Sequence, residues 1–311
     1  MHKYKILILL SIFPMVILLF TGNLFNPDRL SQAFWDLGHL FLFAAIVWAL
    51  LTHKKLSNLS NIQMLTVSIT ISIFLGLLIE VIQYYSGRNM ALNDLFNDIL
   101  GGLIGYLITR IGLYDFHSFR IKLFLISLIF AAVCISLLPV FLILKDNFSM
   151  QDKFPVIADF EVENELKRWI THDIIYFKLS PENTIKGKHS LKVDFGISNY
   201  PNVYLRYFPS NWSDYKYFNF SVYNEQSENI TIDMKISDHS HKNKNFAYND
   251  RYNKTIDLSP GWNKLKISLF DVAQSPDGRL MDLKKISGFS IFLNKPDKLI
   301  TIYIDDMYLS M

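Results

Sequence analysis

The chain has very little cysteine: Cys134 is the only one among 311 residues. An intrachain disulfide is therefore excluded, and so is any metal centre built on several thiolates. Charge of one sign is also lacking. The net charge of +3, with no nucleic-acid-binding motif, argues against a nucleic-acid partner. The common catalytic and phosphate-binding signatures are missing too. No Gly-x-Ser-x-Gly elbow occurs, and "GGLIG" (101–105) lacks the Lys-Ser/Thr of a phosphate loop. His39 has no second histidine at metal-ligand spacing, and His239 and His241 in "DHSHKNK" read as a solvated loop rather than a metal pair. Internal repeats and low-complexity tracts are absent. Finally, long apolar runs are almost confined to the residues before Lys145, and that asymmetry organises everything else.

The apolar half predicts membrane helices, since a spanning helix needs roughly 20 mostly apolar residues. Five spans are expected, near 5–22, 37–52, 62–85, 95–114 and 121–144. Lys3 and Lys5 ahead of the first span resemble a signal peptide, but "FTGNLFNP" is a poor cleavage site, so the expectation is an uncleaved helix kinked at Pro14. The second span is short, with Trp35 and Trp48 as interfacial anchors. Lys3, Lys5, His53, Lys54, Lys55, Arg110, Arg120 and Lys122 all fall on one side of a five-span topology. The positive-inside rule makes that side cytoplasmic. The N-terminus is then cytoplasmic and the polar C-terminal half lies outside the cytoplasm.

Ionisable groups are expensive inside a bilayer, about 2.5–3.5 kcal/mol each at its centre on insertion scales, and normally face a protein interior or a wet cavity. This chain places several at one level, near the expected outer surface. Asp36 and His39 are three residues apart on the second span. Glu80 and Gln83 are three apart on the third, one turn from Gly76. Arg88 lies in the following loop, and Asp94, Asn97 and Asp98 begin the fourth span. Gly101 and Gly105 form a small-xxx-small face that lets two helices approach closely. Helix glue and capping account for single members of this set. Their convergence points to a polar pocket, open outward, for a ligand or a catalytic event.

"DLGHLFLFA" (36–44) and "GLLIEVIQYYSGRNMALNDLFNDILGGLIG" (76–105) resemble the VanZ-like family. The family pattern has an Asp-x-x-His helix, a Glu-x-x-Gln helix, an Arg, and an Asp-x-x-x-Asn followed by glycines. Asp36, His39, Glu80, Gln83, Arg88, Asp94, Gly101, Gly102 and Gly105 occupy those places. The amide departs from the pattern: Asn97 is three beyond Asp94, and the usual asparagine position holds Asp98. The resemblance covers about residues 1–145. It implies a bacterial inner-membrane setting linked to resistance to the glycopeptide teicoplanin, and it implies no reaction.

Residues 146–156 read as a linker, and residues 157–311 as an all-β domain. "HSLKVDFGI", "YLRYF", "YFNFSVYN", "ITIDMKISD", "NKTIDL", "WNKLKISLFDV", "GFSIFL" and "ITIYIDDMYL" alternate with period two and are rich in β-branched and aromatic residues. Turn signals such as "SPGWN" and "SPDG" separate them. Eight or so strands in this length suggest a β-sandwich of the jelly-roll type, with Leu191, Val193, Phe218, Phe220 and Val222 in its core. The fold class expected is thus an all-α membrane domain followed by an all-β sandwich.

The β half resembles carbohydrate-binding modules with the galactose-binding-like jelly roll. The features that carry the likeness are "DFE", "KGKHSLKVDF", "NWSDYKYFNFSVYN", "DLSPGWNKLKISL", "DLKKISGFSIFL" and "IYIDDMYL", in that order. The resemblance implies a glycan ligand and a structural calcium joining the first and last strands, with Glu161 and Asp305 as its carboxylates. Sugar platforms are expected among exposed aromatics: Tyr204, Tyr207, Trp212 and Tyr248, with Tyr252 as a further possibility.

Three functional readings follow. The first is a membrane protein whose external sandwich binds cell-envelope glycan and whose polar helix cluster binds an envelope component. The second is a membrane enzyme acting on a lipid-linked saccharide through Glu80, Asp94 and His39. The third is a scaffold whose sandwich binds a protein.

Overall fold

The computed structural model describes residues 29–85, 92–113 and 119–311. The chain divides into two compact units, Met1–Leu144 and Lys145–Met311. The first expected span (5–22) and Arg88 lie outside the described residues.

In the first unit the helices are α1 (Arg29–Leu51), α2 (Asn61–Tyr85), α3 (Leu92–Leu113) and α4 (Phe119–Lys153). Each coincides with an expected span. The structure nevertheless corrects the count: among the described residues only α1, α2 and α4 are long and apolar enough to cross a membrane. α3 is helical, but Asp94, Asn97, Asp98, Arg110 and its glycines dilute its apolar content. α1 starts well before the apolar run, at Arg29, and its 23 residues suffice at 1.5 Å of rise each. α2 opens on a reciprocal cap: Ser60 N–H donates to Gln63 Oε1 (2.9 Å) and Gln63 N–H to Ser60 Oγ (3.4 Å).

Apolar contacts bind these helices in layers. Leu40 and Ala44 of α1 pack on Leu100 and Ile104 of α3 and on Ile129, Ala132 and Val133 of α4. Val47, Leu51 and Met64 meet Tyr106. Many large apolar residues of α4, including Phe124, Phe130, Leu138 and Phe141, remain exposed, as a lipid-facing surface requires.

The second unit begins inside α4, so residues 146–153 of the expected linker are helix. Two antiparallel sheets follow. The first has the order β3-β4-β11-β6-β9, with β1 (Val156–Ala158) also on β11. Its other strands are Ile174–Ser180, Ser190–Phe195, Ile300–Ser310, Tyr217–Asn224 and Gly261–Ser268 in that spatial order. The second has the order β2-β5-β10-β7-β8: Trp169–His172, Asn202–Leu205, Ile286–Phe292, Ile230–Asp238 and Tyr252–Leu258. Alternate residues of both sheets enclose one core, with Val193, Phe218, Phe220, Ile232, Met234, Phe289 and Ile304 at its centre. The eight expected strand segments are all present. "SLFDV" turns helical instead, because Ser268 Oγ accepts from Asp271 N–H (3.3 Å) and caps α5 (Leu269–Gln274).

Candidate functional site

Helix order brings the polar residues of the membrane unit to one end of the bundle. Asp36 and His39 lie in the first half of α1, Glu80 and Gln83 at the end of α2, and Asp94, Asn97 and Asp98 at the start of α3. Glu80, Gln83, Asp94, Asn97, Asp98 and His39 are all buried. His39 is the hub: its Nδ1 lies 2.8 Å from Asp98 Oδ1, and its Nε2 lies 3.9 Å from Asp94 Oδ2. Asn97 Nδ2 donates to the Asp36 carbonyl (3.2 Å). An imidazole between two carboxylates is able to hold and pass a proton, and the surrounding acids suit a cation or a hydrogen-bond donor.

Glycines make this convergence possible. A Cβ on Gly101 would strike the Leu40 carbonyl, and one on Gly105 would lie 2.5 Å from the Ala44 carbonyl. These two residues therefore set the approach of α3 to α1. Gly76 and Gly102 do the same between α2 and α3: a Cβ on Gly76 would lie 2.5 Å from Asp98 Oδ2, and one on Gly102 would strike Ser72 Oγ. Ser136 of α4 joins the cluster by donating to Asn97 Oδ1 (3.1 Å). Sequence reasoning missed Ser136, since a lone serine inside an apolar run gives no signal.

The sandwich offers a second site, on the outer face of the five-stranded sheet. A cleft of about 600 Å³ is lined by Tyr200, Asp233, Tyr248, Asn253, Thr255, Phe292 and Asn294, among others. Tyr200 also borders a neighbouring cleft with His172, Asn199 and Lys295. Tyr248 (65 % exposed) and Tyr200 (53 % exposed) are the exposed aromatics of this cleft. Tyr204 belongs to the same face, half-buried, with its hydroxyl donating to the Ser287 carbonyl (3.1 Å). Its ring lies where a side chain on Gly288 would stand. Tyr207 follows β5 and stacks under the Arg206 guanidinium.

Trp212 corrects an expectation: it is fully buried, packs on Phe208 and Phe218, and gives its indole N–H to the Pro209 carbonyl (2.9 Å). It is core, not a sugar platform. Tyr252 is likewise buried.

Glu161 and Asp305 do come together, around the loop 185–189. Asp305 Oδ2 accepts from the N–H groups of Ile185 (2.7 Å) and Lys186 (3.1 Å), and its Oδ1 from Asp306 N–H (2.7 Å). Glu161 Oε1 accepts from the N–H groups of Lys188 (2.7 Å) and His189 (3.0 Å). Gly187, at φ +78°, has no room for a side chain beside Glu161. Calcium needs roughly six to eight oxygen ligands. Here backbone N–H groups hydrogen-bond both carboxylates, an arrangement that serves as a loop clasp. Among the described residues no group of three or more His, Cys, Asp or Glu is arranged to hold a metal ion. Treating the protein with EDTA is therefore expected to leave its Tm unchanged, whereas Glu161→Leu lowers stability by about 1.5–3 kcal/mol, the worth of hydrogen bonds to a charged group. Thermal denaturation with and without chelator checks both.

Two buried ion clusters were not legible in the sequence. Arg279 bonds Asp250 through Nε (2.6 Å) and Nη2 (2.8 Å), and Asp238 through Nη1 (2.6 Å) and Nη2 (2.9 Å). The Arg279 hydrogen bond holds the Asp250 carboxyl down at about 2. His241, expected in a solvated loop, is buried with Nδ1 3.2 Å from Asp250 Oδ2. This clamp fixes the turn Tyr248–Asp250 and thereby positions the Tyr248 ring. In the second cluster Arg168 is paired with Asp146 (2.7 Å) and flanked by Glu165.

Residues 4–113 match the VanZ/LLP1 family model. No curated protein matches the sequence. The solved structures it is similar to include an exo-β-agarase (14 % identity, TM-score 0.41, covering 50 % of this chain). The chain covers only 24 % of that agarase. Another is the family 11 carbohydrate-binding module from Clostridium thermocellum in complex with a β-1,3-1,4-mixed-linked tetrasaccharide (14 % identity, TM-score 0.39, covering 50 % of this chain and 94 % of that one). A third is a carbohydrate-binding module specific for non-crystalline cellulose (13 % identity, TM-score 0.36, covering 51 % of this chain and 93 % of that one).

Proposed function

We propose that this is a bacterial inner-membrane protein whose VanZ/LLP1-matching helices carry a glycan-binding β-sandwich on the outer side of the membrane. The observation that carries the glycan reading is the cleft on the five-stranded sheet. It sets the exposed rings of Tyr200 and Tyr248 among Asp233, Asn253, Thr255 and Asn294. Flat rings stack on the apolar faces of sugars, and the interleaved amides, hydroxyl and carboxylate match sugar hydroxyls.

The orientation rests on the basic residues. Arg110 meets Asn61 at the end of the bundle opposite His39 and Glu80, and His53, Lys54 and Lys55 follow α1 at that same end. With that end cytoplasmic, the buried acids face outward, where they bind an envelope component. A role in glycopeptide tolerance accords with the family resemblance.

Glycan-array binding of the detergent-solubilised full chain tests the proposal. Binding to at least one envelope polysaccharide is expected, and Tyr248→Ala is expected to weaken it about tenfold, equivalent to about 1.4 kcal/mol. Absence of binding to any glycan would overturn it.

A further inference from the structure

The outer face of the five-stranded sheet carries an uncompensated pair of cations. The register places Ile170, Tyr204, Ser290, Lys235 and Asn253 in one row across β2, β5, β10, β7 and β8. All point away from the core, because their strand neighbours Val203, Leu205, Phe289, Ile291, Met234 and Ile236 fill it. Asn253, the cross-strand partner of Lys235, accepts from Arg251 Nε at its Oδ1 (2.8 Å), which holds the guanidinium close enough for its charge to act on Lys235. Arg251 also lies over the Tyr248 ring, 5.1 Å from its centroid, and Lys235 Nζ lies 5.9 Å from that of Tyr204.

Neither cation has a carboxylate partner among the described residues. Burial pushes the Lys235 ammonium down, and the Arg251 charge adds to this. Burial lowers Arg251 as well, with Tyr248 opposing. Asp233 and Asp257 on this face accept from Thr255 Oγ1 (2.5 Å) and Thr231 Oγ1 (2.7 Å), keep their charge, and form no ion pair with Lys235 or Arg251. Ser290, fully buried in the row between Tyr204 and Lys235, has a hydroxyl with no hydrogen-bond partner in the protein. Two partly desolvated like charges side by side are costly, and an anion placed between them offsets that cost.

We propose that the saccharide bound on this face is acidic, with its carboxylate or phosphate seated between Lys235 and Arg251 beside the Tyr248 ring. The proposal rests on the glycan reading of the same cleft and narrows it to one ligand class. The anion takes ion pairs from both side chains, while the sugar ring stacks on Tyr248. Binding then weakens as salt rises, since the groups are only partly buried.

The test compares matched ligands on the full chain in detergent by titration calorimetry: oligogalacturonate against its methyl ester, and phosphorylated mannan against mannan. At least tenfold tighter binding to one acidic member of a pair is expected, and which pair responds tells carboxylate from phosphate. Lys235→Met and Arg251→Gln are each expected to remove that preference, read as the ratio of acidic to neutral affinity within each variant. Lys264→Met, on an exposed position of the other sheet, is expected to change nothing. Equal binding of acidic and neutral members, insensitive to Lys235→Met and Arg251→Gln, would overturn the acidic class and leave the glycan reading standing. Binding of neither kind would overturn both.

Discussion

Replacing Arg168 with methionine lowers the stability of the sandwich unit by about 3–5 kcal/mol, the usual cost of removing one partner from a buried ion pair. Arg168 is 2 % exposed. It donates to Asp146 from Nε (3.1 Å) and Nη2 (2.7 Å), and Nη1 reaches the Ile157 carbonyl at 3.5 Å. Its Nη2 also lies 3.8 Å from Glu165 Oε1. Methionine fills much of the volume but leaves the buried Asp146 carboxylate without its ion-pair partner and Glu165 with Lys153 alone, at 3.6 Å.

Glu165 is the sensitive partner. Burial pushes its carboxyl up to about 7, against the pull of Arg168. Its folded value lies above its unfolded one, so its contribution to stability is complete below about 4.5 and is lost as pH rises through about 7. Without Arg168 the folded value rises further, and the loss in Arg168→Met is larger at pH 8 than at pH 5. Urea denaturation of the wild-type and variant chains at both pH values measures this. Adding Asp146→Leu to Arg168→Met recovers part of the loss, because the pair is replaced by apolar groups rather than broken. A loss below about 1 kcal/mol at both pH values would show that the pair is not the anchor described.

The second large effect is expected at Gly101. Gly101→Leu drives a side chain into the Leu40 carbonyl and brings a Cβ to 3.0 Å from Phe43 Cβ. Both contacts are with the α1 helix itself, so relief requires α1 and α3 to separate. Overpacking alone costs about 1–3 kcal/mol. Separation also pulls His39 from Asp98, which are 2.8 Å apart, and strands buried polar groups. The measurable result is a sharp fall in monodisperse protein recovered in detergent and in its Tm. Gly38→Leu is the control, since nothing lies within 4 Å of a Cβ at that position, and it is expected to behave as wild type. Equal behaviour of the two variants would contradict the close α1–α3 approach.

Sequence periodicity and cost arguments reach some of these features and miss others for definable reasons. Four described helices were visible as apolar runs, and the set Asp36, His39, Glu80, Gln83, Asp94, Asn97 and Asp98 stood out because each is expensive in lipid. α1 extends back to Arg29 through Gln32 and Asp36, where hydropathy gives no cue. β1 to β3 were not distinguished, as "VIA" is only three residues and "WITH" has no clean alternation.

Trp212 and Tyr248 look alike in a sequence. Only the fold shows that one is under Phe208 and Phe218 and the other on the surface. The ion clusters were hidden by distance along the chain: Arg168 meets Asp146 across 22 residues, and Arg279 meets Asp238 across 41.

The ending of α4 has a consequence for how this polypeptide is divided. Asp146 and Lys153 are helical, yet their charges are spent on Arg168, Asp159 and Glu165. A gene-level cut at the first strand would release a sandwich with Arg168 and Glu165 facing an empty socket. The exchangeable module, whether shuffled by recombination or excised for crystallography, starts at Lys145 and takes two turns of helix with it as a plug.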